Sequence, residues 1–308
     1  MNKRKQKGRA VNGILVLDKP AGLTSNAALQ EVKRIFNAAK AGHTGSLDPL
    51  ATGVLPLCLG EATKISQFLL DADKQYRVSI KLGIRTDTGD AEGLVVSEGD
   101  RSKVTTAVLR LALKDFLGEI EQLPPMYSAL KYQGVPLYKL ARQGVVVERE
   151  LRRVVIHDIK LLEHRDDVVE LQISCSKGTY IRTLADDLGE KLGCGAHVTV
   201  LRRTQSGAFT ESDCVTLEYL RQVRETADEE DDYSGIDRLL VEMDLAVAGL
   251  PEVTLPESTA RFIKQGQPVL VRHLPSGGLV RLYEGTRFIG IGDILDDGRV
   301  APRRMIVE

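Results

Sequence analysis

Alternating apolar and polar positions predict several β-strands. Residues 76–82 carry an apolar side chain at every second position, the period of a strand with one buried face. The stretch 11–17 is almost continuously apolar, which is typical of a short buried strand. Residues 145–176 alternate well enough to predict three strands, and residues 198–203 predict another.

Apolar residues at three- and four-residue spacing predict helices between these strands. The first helix is capped by Thr24 or Ser25 and runs to about residue 39. A later helix runs to about residue 192 with a buried stripe that Arg182 does not share, so spacing alone predicts a surface pair between Arg182 and Asp186. Further helices are predicted at 61–70, at about 104–118, and as a short segment around Tyr138 and Arg142.

The pattern changes from about residue 251. Short apolar runs separated by glycines predict a small all-β module with strands near 269–273, 279–283, 287–291 and 299–307. A boundary near residue 250 therefore divides the chain, whose 308 residues are long for one domain and sufficient for two.

The stretch 42–56 follows neither period. Glycines and prolines interrupt it, yet it contains too many apolar residues for a solvated loop. An apolar loop packed on its own core holds its polar side chains in place, and Pro49 pushes the backbone of Asp48 toward an extended conformation. Such a carboxylate suits a nucleophile or a general base, but an Asp in this kind of loop more often caps a backbone amide. From the residues alone, both interpretations stay open.

Residues 86–93 match two motifs only superficially. They contain one Asp-Thr-Gly, whereas an aspartic protease needs a second, and Gly89 stands where a calcium loop needs an oxygen ligand. We interpret this stretch as a polar connection.

Composition narrows the class of protein. At 43% hydrophobic and 28% charged, the chain is typical of a soluble protein, and it has neither a signal-peptide core nor an apolar run long enough for a transmembrane helix. Its four cysteines are widely spaced, which argues against a zinc site or a disulfide framework and predicts a reducing cytoplasm. Residues 1–60 carry nine Lys and Arg against three Asp and Glu, so this basic end is where a polyanion would bind, whereas the acidic run 228–232 predicts a solvated linker.

Six motifs occur in a recognisable order between residues 18 and 203, and by them the chain resembles the TruB family, the bacterial tRNA pseudouridine-55 synthases. Ser46, where Thr is more common in that family, keeps the hydroxyl. The motifs are Asp18-Lys19-Pro20-Ala21-Gly22-Leu23-Thr24-Ser25, the segment from Gly42 to Gly53, Lys74-Gln75-Tyr76, Pro124-Pro125-Met126-Tyr127-Ser128-Ala129, Lys177-Gly178-Thr179-Tyr180-Ile181-Arg182 and Leu201-Arg202-Arg203.

This resemblance implies an α+β fold. Residues 11–250 would form the pseudouridine synthase domain, with a mixed, mostly antiparallel central sheet flanked by helices. A basic tail, residues 1–10, would precede it, and residues 251–308 would form a PUA-like RNA-binding domain.

The resemblance also implies residue roles. Asp48 is the expected nucleophile and Arg182 its partner, while attack at C1′, attack at C6 and removal of the 2′ proton stay open as routes. Tyr76 would stack on the target base and accept the C5 proton. The other expected substrate contacts are Tyr180 and the backbone of Leu201 in the uridine pocket, His43 in place of the flipped base, and Lys19 and Arg202 at phosphates.

The isomerisation of uridine to pseudouridine needs few groups beyond these residues. Exchanging a C–N for a C–C glycosidic bond needs no redox change, so we expect neither a cofactor nor a metal, and the target uridine must be flipped out of its stack. An ionised Asp48 is expected at neutral pH, and Arg182 should favour that state further. We expect stand-alone action on the T-arm of tRNA by a monomer, with no obligatory protein partner and no membrane. The alternative is a non-catalytic RNA-binding or tRNA-folding protein on the same scaffold, which would not need Asp48.

Overall fold

The computed structural model describes residues 8–226, 232–272 and 274–306. Most of the predicted basic tail and all but the last residue of the acidic run 228–232 therefore lie outside the described residues. Within the tail, Arg9 is held in place, because its guanidinium pairs with Asp237 and lies 4.2 Å from the centre of the Tyr233 ring.

The strands lie close to the predicted positions. Two of them, at 152–165 and 168–175, replace the three predicted within 145–176, because the first is a single long strand that pairs along its whole length. In chain order the strands are β1 Gly13–Lys19, β2 Ala41–His43, β3 Thr52–Leu59, β4 Lys74–Leu82, β5 Ile84–Thr86, β6 Val95–Glu98, β7 Gly118–Gln122, β8 Lys131–Tyr132, β9 Val135–Pro136, β10 Arg152–Arg165, β11 Val168–Cys175, β12 Ala196–Ser206, β13 Phe209–Thr210, β14 Val215–Thr216, β15 Glu252–Leu255, β16 Val269–Leu270, β17 Gly278–Glu284, β18 Arg287–Ile294 and β19 Arg299–Met305.

The helices follow the predicted pattern with shorter ends, except that the predicted helix 61–70 is divided into a 3₁₀ turn, Gly60–Lys64, and a short helix, Ser66–Asp71. The first begins after Thr24, whose side chain accepts a hydrogen bond from the Ala27 amide, and it stops before Asn37, which has a positive φ. The helices are α1 Ser25–Ile35, α2 Ser66–Asp71, α3 Thr106–Lys114, α4 Leu137–Ala141, α5 Ile181–Lys191, α6 Leu217–Glu225, α7 Ser234–Asp237 and α8 Glu257–Lys264, with 3₁₀ turns at Gly60–Lys64, Glu211–Asp213 and Met243–Val247.

The large sheet is mixed and mostly antiparallel, which confirms the predicted class. Its strand order is β14-β1-β3-β12-β4-β11-β10-β7, with β2 added to β3 and β13 to β12. The pairs β1–β14 and β3–β12 are parallel and the others are antiparallel. Buried residues of α1, α3 and α5 pack with those of the central strands in one apolar core, so the helices flank the sheet.

A second sheet contains the C-terminal strands in the order β15-β17-β18-β19-β16. It has its own buried cluster, to which Val253, Ile263, Leu282 and Val300 belong. The predicted strands are present, but the module is strand-rich rather than all-β, because α8 packs its buried residues Ala260 and Ile263 into this cluster. The helical period of residues 257–264 was the signal that the sequence interpretation missed.

Candidate active site

Asp48 lies in the loop between β2 and β3, and that loop is held from two sides. Leu47 is buried, and its backbone amide donates to the Ser25 hydroxyl at 2.7 Å while its carbonyl accepts from the same hydroxyl at 3.1 Å. The Gly22 amide donates to the Pro49 carbonyl at 2.8 Å. The residues on both sides of Asp48 are therefore fixed against the segment that starts α1, so the carboxylate projects from a rigid loop as predicted.

Arg182, at the start of α5, is the partner of Asp48. Its Nε lies 2.9 Å from Asp48 Oδ2, while Nη1 donates to the Thr88 carbonyl at 2.8 Å and Nη2 to the Tyr127 carbonyl at 2.6 Å. The surface pair with Asp186 expected from spacing is wrong, because Arg182 is buried and Asp186 pairs with Arg85 instead. The long-range contacts of the guanidinium leave it a single orientation.

Asp90 completes the network and was missed from the sequence. Its Oδ2 lies 3.4 Å from Arg182 Nη1, and its Oδ1 accepts from the Thr88 hydroxyl at 2.7 Å and the Glu92 amide at 3.1 Å. The side chain is buried, so the stretch 86–93 is a support for Arg182 and not merely a polar connection. The sequence feature that could have indicated this role is Gly89, because a glycine can adopt the positive φ that lets the turn approach Arg182 closely.

The surroundings of the Asp48 carboxyl favour its ionised form less than expected. Loss of hydration raises the pKa of its carboxyl, and Asp90 acts in the same direction, whereas Arg182 and Lys19 lower it. The net direction is upward. The prediction that the arginine would only favour the carboxylate was therefore incomplete, because it left out the cost of desolvation and the second carboxylate.

A cavity of about 350 Å³ opens over this pair. Five of the predicted site residues lie around it, which places side chains from distant motifs on one concave surface. Its lining residues include Asp48, Tyr76, Tyr180, Arg182, Leu201 and Arg203, together with Lys74 and the segment Ser128-Ala129-Leu130.

Tyr76 lies on β4 and faces this cavity from the floor of the sheet. Burial raises the pKa of its hydroxyl and Arg203 opposes that shift, so the side chain is a neutral phenol before substrate binds. Arg203 is itself buried and donates from Nε to the Val54 carbonyl at 2.7 Å.

Arg202 and Arg203 point to opposite faces of β12, as neighbours on a strand must. Arg203 lines the cavity, whereas Arg202 forms ion pairs with Asp18 at 3.0 Å and Glu211 at 2.5 Å. Because these two carboxylates already neutralise Arg202, its expected phosphate contact has no support from this arrangement.

The predicted phosphate contact of Lys19 has no support from the structure. The side chain is fully buried, and Nζ donates to the carbonyls of Pro20 at 2.8 Å and Leu23 at 2.6 Å, with that of Pro49 at 3.4 Å. Burial lowers its pKa to about 8. Through these carbonyls, Lys19 joins the turn after β1 to the Asp48 loop.

The other predicted contacts divide into two groups. Tyr180 and Leu201 line the cavity, and Gln122 holds Tyr180 in place by accepting from its backbone amide at 3.0 Å and donating to its carbonyl at 3.2 Å. His43 does not line the cavity; it ends β2, and burial and Arg203 lower its pKa, which keeps the imidazole neutral.

Among residues 8–226, 232–272 and 274–306, His, Cys, Asp and Glu side chains do not form a group of three or more that could hold a metal ion. No helix in these ranges has the length and apolar character needed to cross a membrane.

Comparison with protein families gives consistent matches along the chain. Residues 33–181 match "TruB family pseudouridylate synthase (N terminal domain)". Residues 182–248 match "tRNA pseudouridylate synthase B C-terminal domain", and residues 251–306 match "Pseudouridine synthase II TruB, C-terminal".

Individual relatives match over almost their whole length. Proteins named tRNA pseudouridine synthase B are 55% identical in Yersinia pestis (strain Pestoides F) and in Serratia proteamaculans (strain 568), covering all of this chain and 96% and 99% of the relatives. Among solved structures, one titled "Crystal Structure of a Cbf5-Nop10-Gar1 Complex" is 30% identical with a TM-score of 0.73, covering 96% of this chain and 84% of the other. A second, titled "Structure of H/ACA RNP bound to a substrate RNA containing 2'-deoxyuridine", has a TM-score of 0.75 at 26% identity, covering all of this chain and 92% of the other.

Proposed function

Because the chain belongs to the TruB family of pseudouridylate synthases, we propose that it converts uridine 55 in the T-loop of tRNA to pseudouridine. The observation that carries this proposal is the pair of Asp48 and Arg182 at 2.9 Å under an open cavity. The guanidinium is buried and tied to three further groups, while 38% of the Asp48 side chain remains accessible from the cavity. A carboxylate that is both oriented and accessible is what a nucleophile or base requires.

Substrate entry requires base flipping, because a base stacked in a tRNA loop cannot reach the floor of a concave pocket. Tyr76 stacks on the flipped uracil, and Tyr180 and the Leu201 backbone line the pocket. Leu201 is buried on β12 and Tyr76 on β4, and the two strands pair, so the base rests on the sheet itself. His43, outside the cavity, fills the stack that the uridine leaves.

Asp48 supplies the carboxylate at the junction of ribose and base, and Arg182 orients it through its fixed position. Three routes stay open for Asp48: attack at C1′, attack at C6, and removal of the 2′ proton. All three routes need the ionised carboxylate of Asp48. Because the pKa of Asp48 is raised, activity should be lost on acidification at a higher pH than for an ordinary aspartate. Because burial keeps Tyr76 a phenol, it accepts the C5 proton only after its own hydroxyl proton has passed to water in the open cavity.

The same proposal extends to organisation and location. Residues 11–250 form the synthase domain and residues 251–308 the PUA-like RNA-binding domain, a boundary supported by the separate C-terminal core. A monomer without an obligatory protein partner is supported because one chain supplies the whole Asp48 network. The free cysteines suit a reducing cytoplasm.

Tritium release tests the proposal. Wild type should release tritium from a T-arm stem-loop carrying 5-tritiated uridine, and Asp48→Asn should bind the same RNA but release none, because the amide is neither nucleophile nor base. Asp186→Asn is the matched control, since Asp186 lies on the same helix as Arg182 but pairs with Arg85. Tight binding without release by wild type would favour the non-catalytic RNA-binding alternative, and equal release by wild type and Asp48→Asn would exclude the assigned role of Asp48.

A further inference from the structure

The segment Pro124-Pro125-Met126-Tyr127-Ser128-Ala129 contains a polar group that the proposed roles leave unused. The Ser128 side chain lines the cavity, the residue is only 5% exposed, and its Oγ has no hydrogen bond of ordinary length and angle among the described residues. Its backbone is held firmly, because the Ser128 amide donates to the Met126 carbonyl at 2.9 Å and the Ser128 carbonyl accepts from the Tyr138 amide at 3.1 Å. An unpartnered buried hydroxyl costs free energy unless something outside the chain satisfies it.

Ser128 lies close to the Asp48–Arg182 pair because the residue before it, Tyr127, contacts Arg182. The Tyr127 carbonyl accepts from Arg182 Nη2 at 2.6 Å, and Arg182 Nε lies 2.9 Å from Asp48. On its other side is the Tyr180 hydroxyl: burial raises the pKa of Tyr180 and a side-chain hydrogen bond with Ser128 opposes that shift, so the Tyr180 hydroxyl is within reach of Ser128 Oγ but outside ordinary hydrogen-bond geometry. Ser128 therefore lies on the wall of the cavity beside the Asp48–Arg182 pair, formed by loops rather than by the sheet.

The position of this wall indicates which part of the nucleotide it meets. Tyr76 and Leu201 place the uracil on the floor formed by β4 and β12. The three candidate targets of Asp48 all lie where ribose joins base, so the loop wall next to Asp48 faces the sugar. Within an RNA chain the 3′ and 5′ oxygens are esterified, which leaves the 2′-hydroxyl as the free hydroxyl of that sugar.

We propose that Ser128 Oγ hydrogen-bonds the ribose 2′-hydroxyl of the flipped nucleotide, an assignment that rests on the proposed function. This contact completes the hydrogen bonding of a buried hydroxyl and gives the pocket a means of distinguishing RNA from DNA at the target position. It also holds the sugar in place while the base detaches from C1′, turns and is joined again through C5. Ser128 is thus a substrate-binding residue that positions the ribose.

Binding measurements in a background without chemistry test this contact. In Asp48→Asn, dissociation constants are measured for two T-arm stem-loops that differ only in carrying uridine or 2′-deoxyuridine at the target position. One hydrogen bond predicts about two- to tenfold tighter binding of the uridine RNA. Adding Ser128→Ala should bring this ratio close to one, whereas adding Ser128→Thr, which keeps a hydroxyl, should retain a preference for uridine.

Ser206→Ala is the matched control in the same background. Ser206 is also fully buried with an unpartnered Oγ, but it does not line the cavity, so its removal should leave the ratio unchanged. A preference for uridine that survives Ser128→Ala, or that is already absent in the Asp48→Asn background, would overturn the proposal. Tritium release by wild type tests the proposed function separately. If wild type releases tritium but the preference for uridine RNA survives Ser128→Ala, only the Ser128 contact is rejected. If wild type releases no tritium but Ser128→Ala abolishes the preference, only the proposed function is rejected.

Discussion

Replacing Arg182 with Met should destabilise the protein chiefly through Asp90. The Arg182 and Asp90 side chains are 4% and 5% exposed, whereas Asp48 is 38% exposed. Removing the guanidinium therefore leaves Asp90 as a buried carboxylate without its cation, while Asp48 can be hydrated from the cavity. The carbonyls of Thr88 and Tyr127 lose their donors as well.

The magnitude follows from the burial of both partners. Removing one member of a buried ion pair costs about 3–5 kcal/mol, because the other charge stays uncompensated. For a protein of this size, 1 kcal/mol corresponds to about 2–4 °C in Tm, so Arg182→Met should lower Tm by about 6–20 °C. Adding Asp90→Asn removes the stranded charge and keeps an amide oxygen that can accept from Thr88 and Glu92, so the double variant should recover part of that loss.

Thermal unfolding followed by far-ultraviolet circular dichroism at neutral pH measures these differences. Arg85→Met is the control, since its pair with Asp186 is partly exposed and should contribute no more than about 1 kcal/mol. If Arg182→Met with Asp90→Asn is no more stable than Arg182→Met alone, Asp90 does not carry an uncompensated charge and the reasoning is refuted.

Two further predictions concern the loop and the strand beneath it. Since burial lowers the pKa of Lys19 to about 8, the unfolded chain binds more protons than the native chain between about pH 8 and 10.5. The free energy of unfolding of wild type should therefore rise relative to that of Lys19→Met through this range, and urea unfolding in which it falls relative to the variant would contradict this. Gly53→Ala should lower Tm more than Gly22→Ala. Both glycines have a positive φ, but a Cβ at Gly53 would lie 2.2 Å from the Arg203 carbonyl oxygen, whereas a Cβ at Gly22 would meet open space. Equal losses of Tm would show that the close approach at Gly53 does not matter.

Neighbouring residues in one motif show where sequence reasoning ended. The motif Leu201-Arg202-Arg203 contains two arginines; the sequence interpretation predicts a phosphate contact for Arg202, whereas it is Arg203 that lines the cavity. Alternation along β12 meant that the two would face opposite sides, but it did not indicate which side held the site. Only the pairing of β12 with both β3 and β4 decided this.

The sequence by itself determined the family, the mixed sheet, and the pairing of Asp48 with Arg182, since motifs in a shared order identify residues regardless of where they lie in space. Tertiary structure decided what each polar group near them does. Lys19 proved to be a buried donor to backbone carbonyls, and Asp90 proved to be a second anion for Arg182. Both outcomes depend on contacts between segments far apart in the chain, and on how much water each group loses on folding, which local periodicity and charge do not specify.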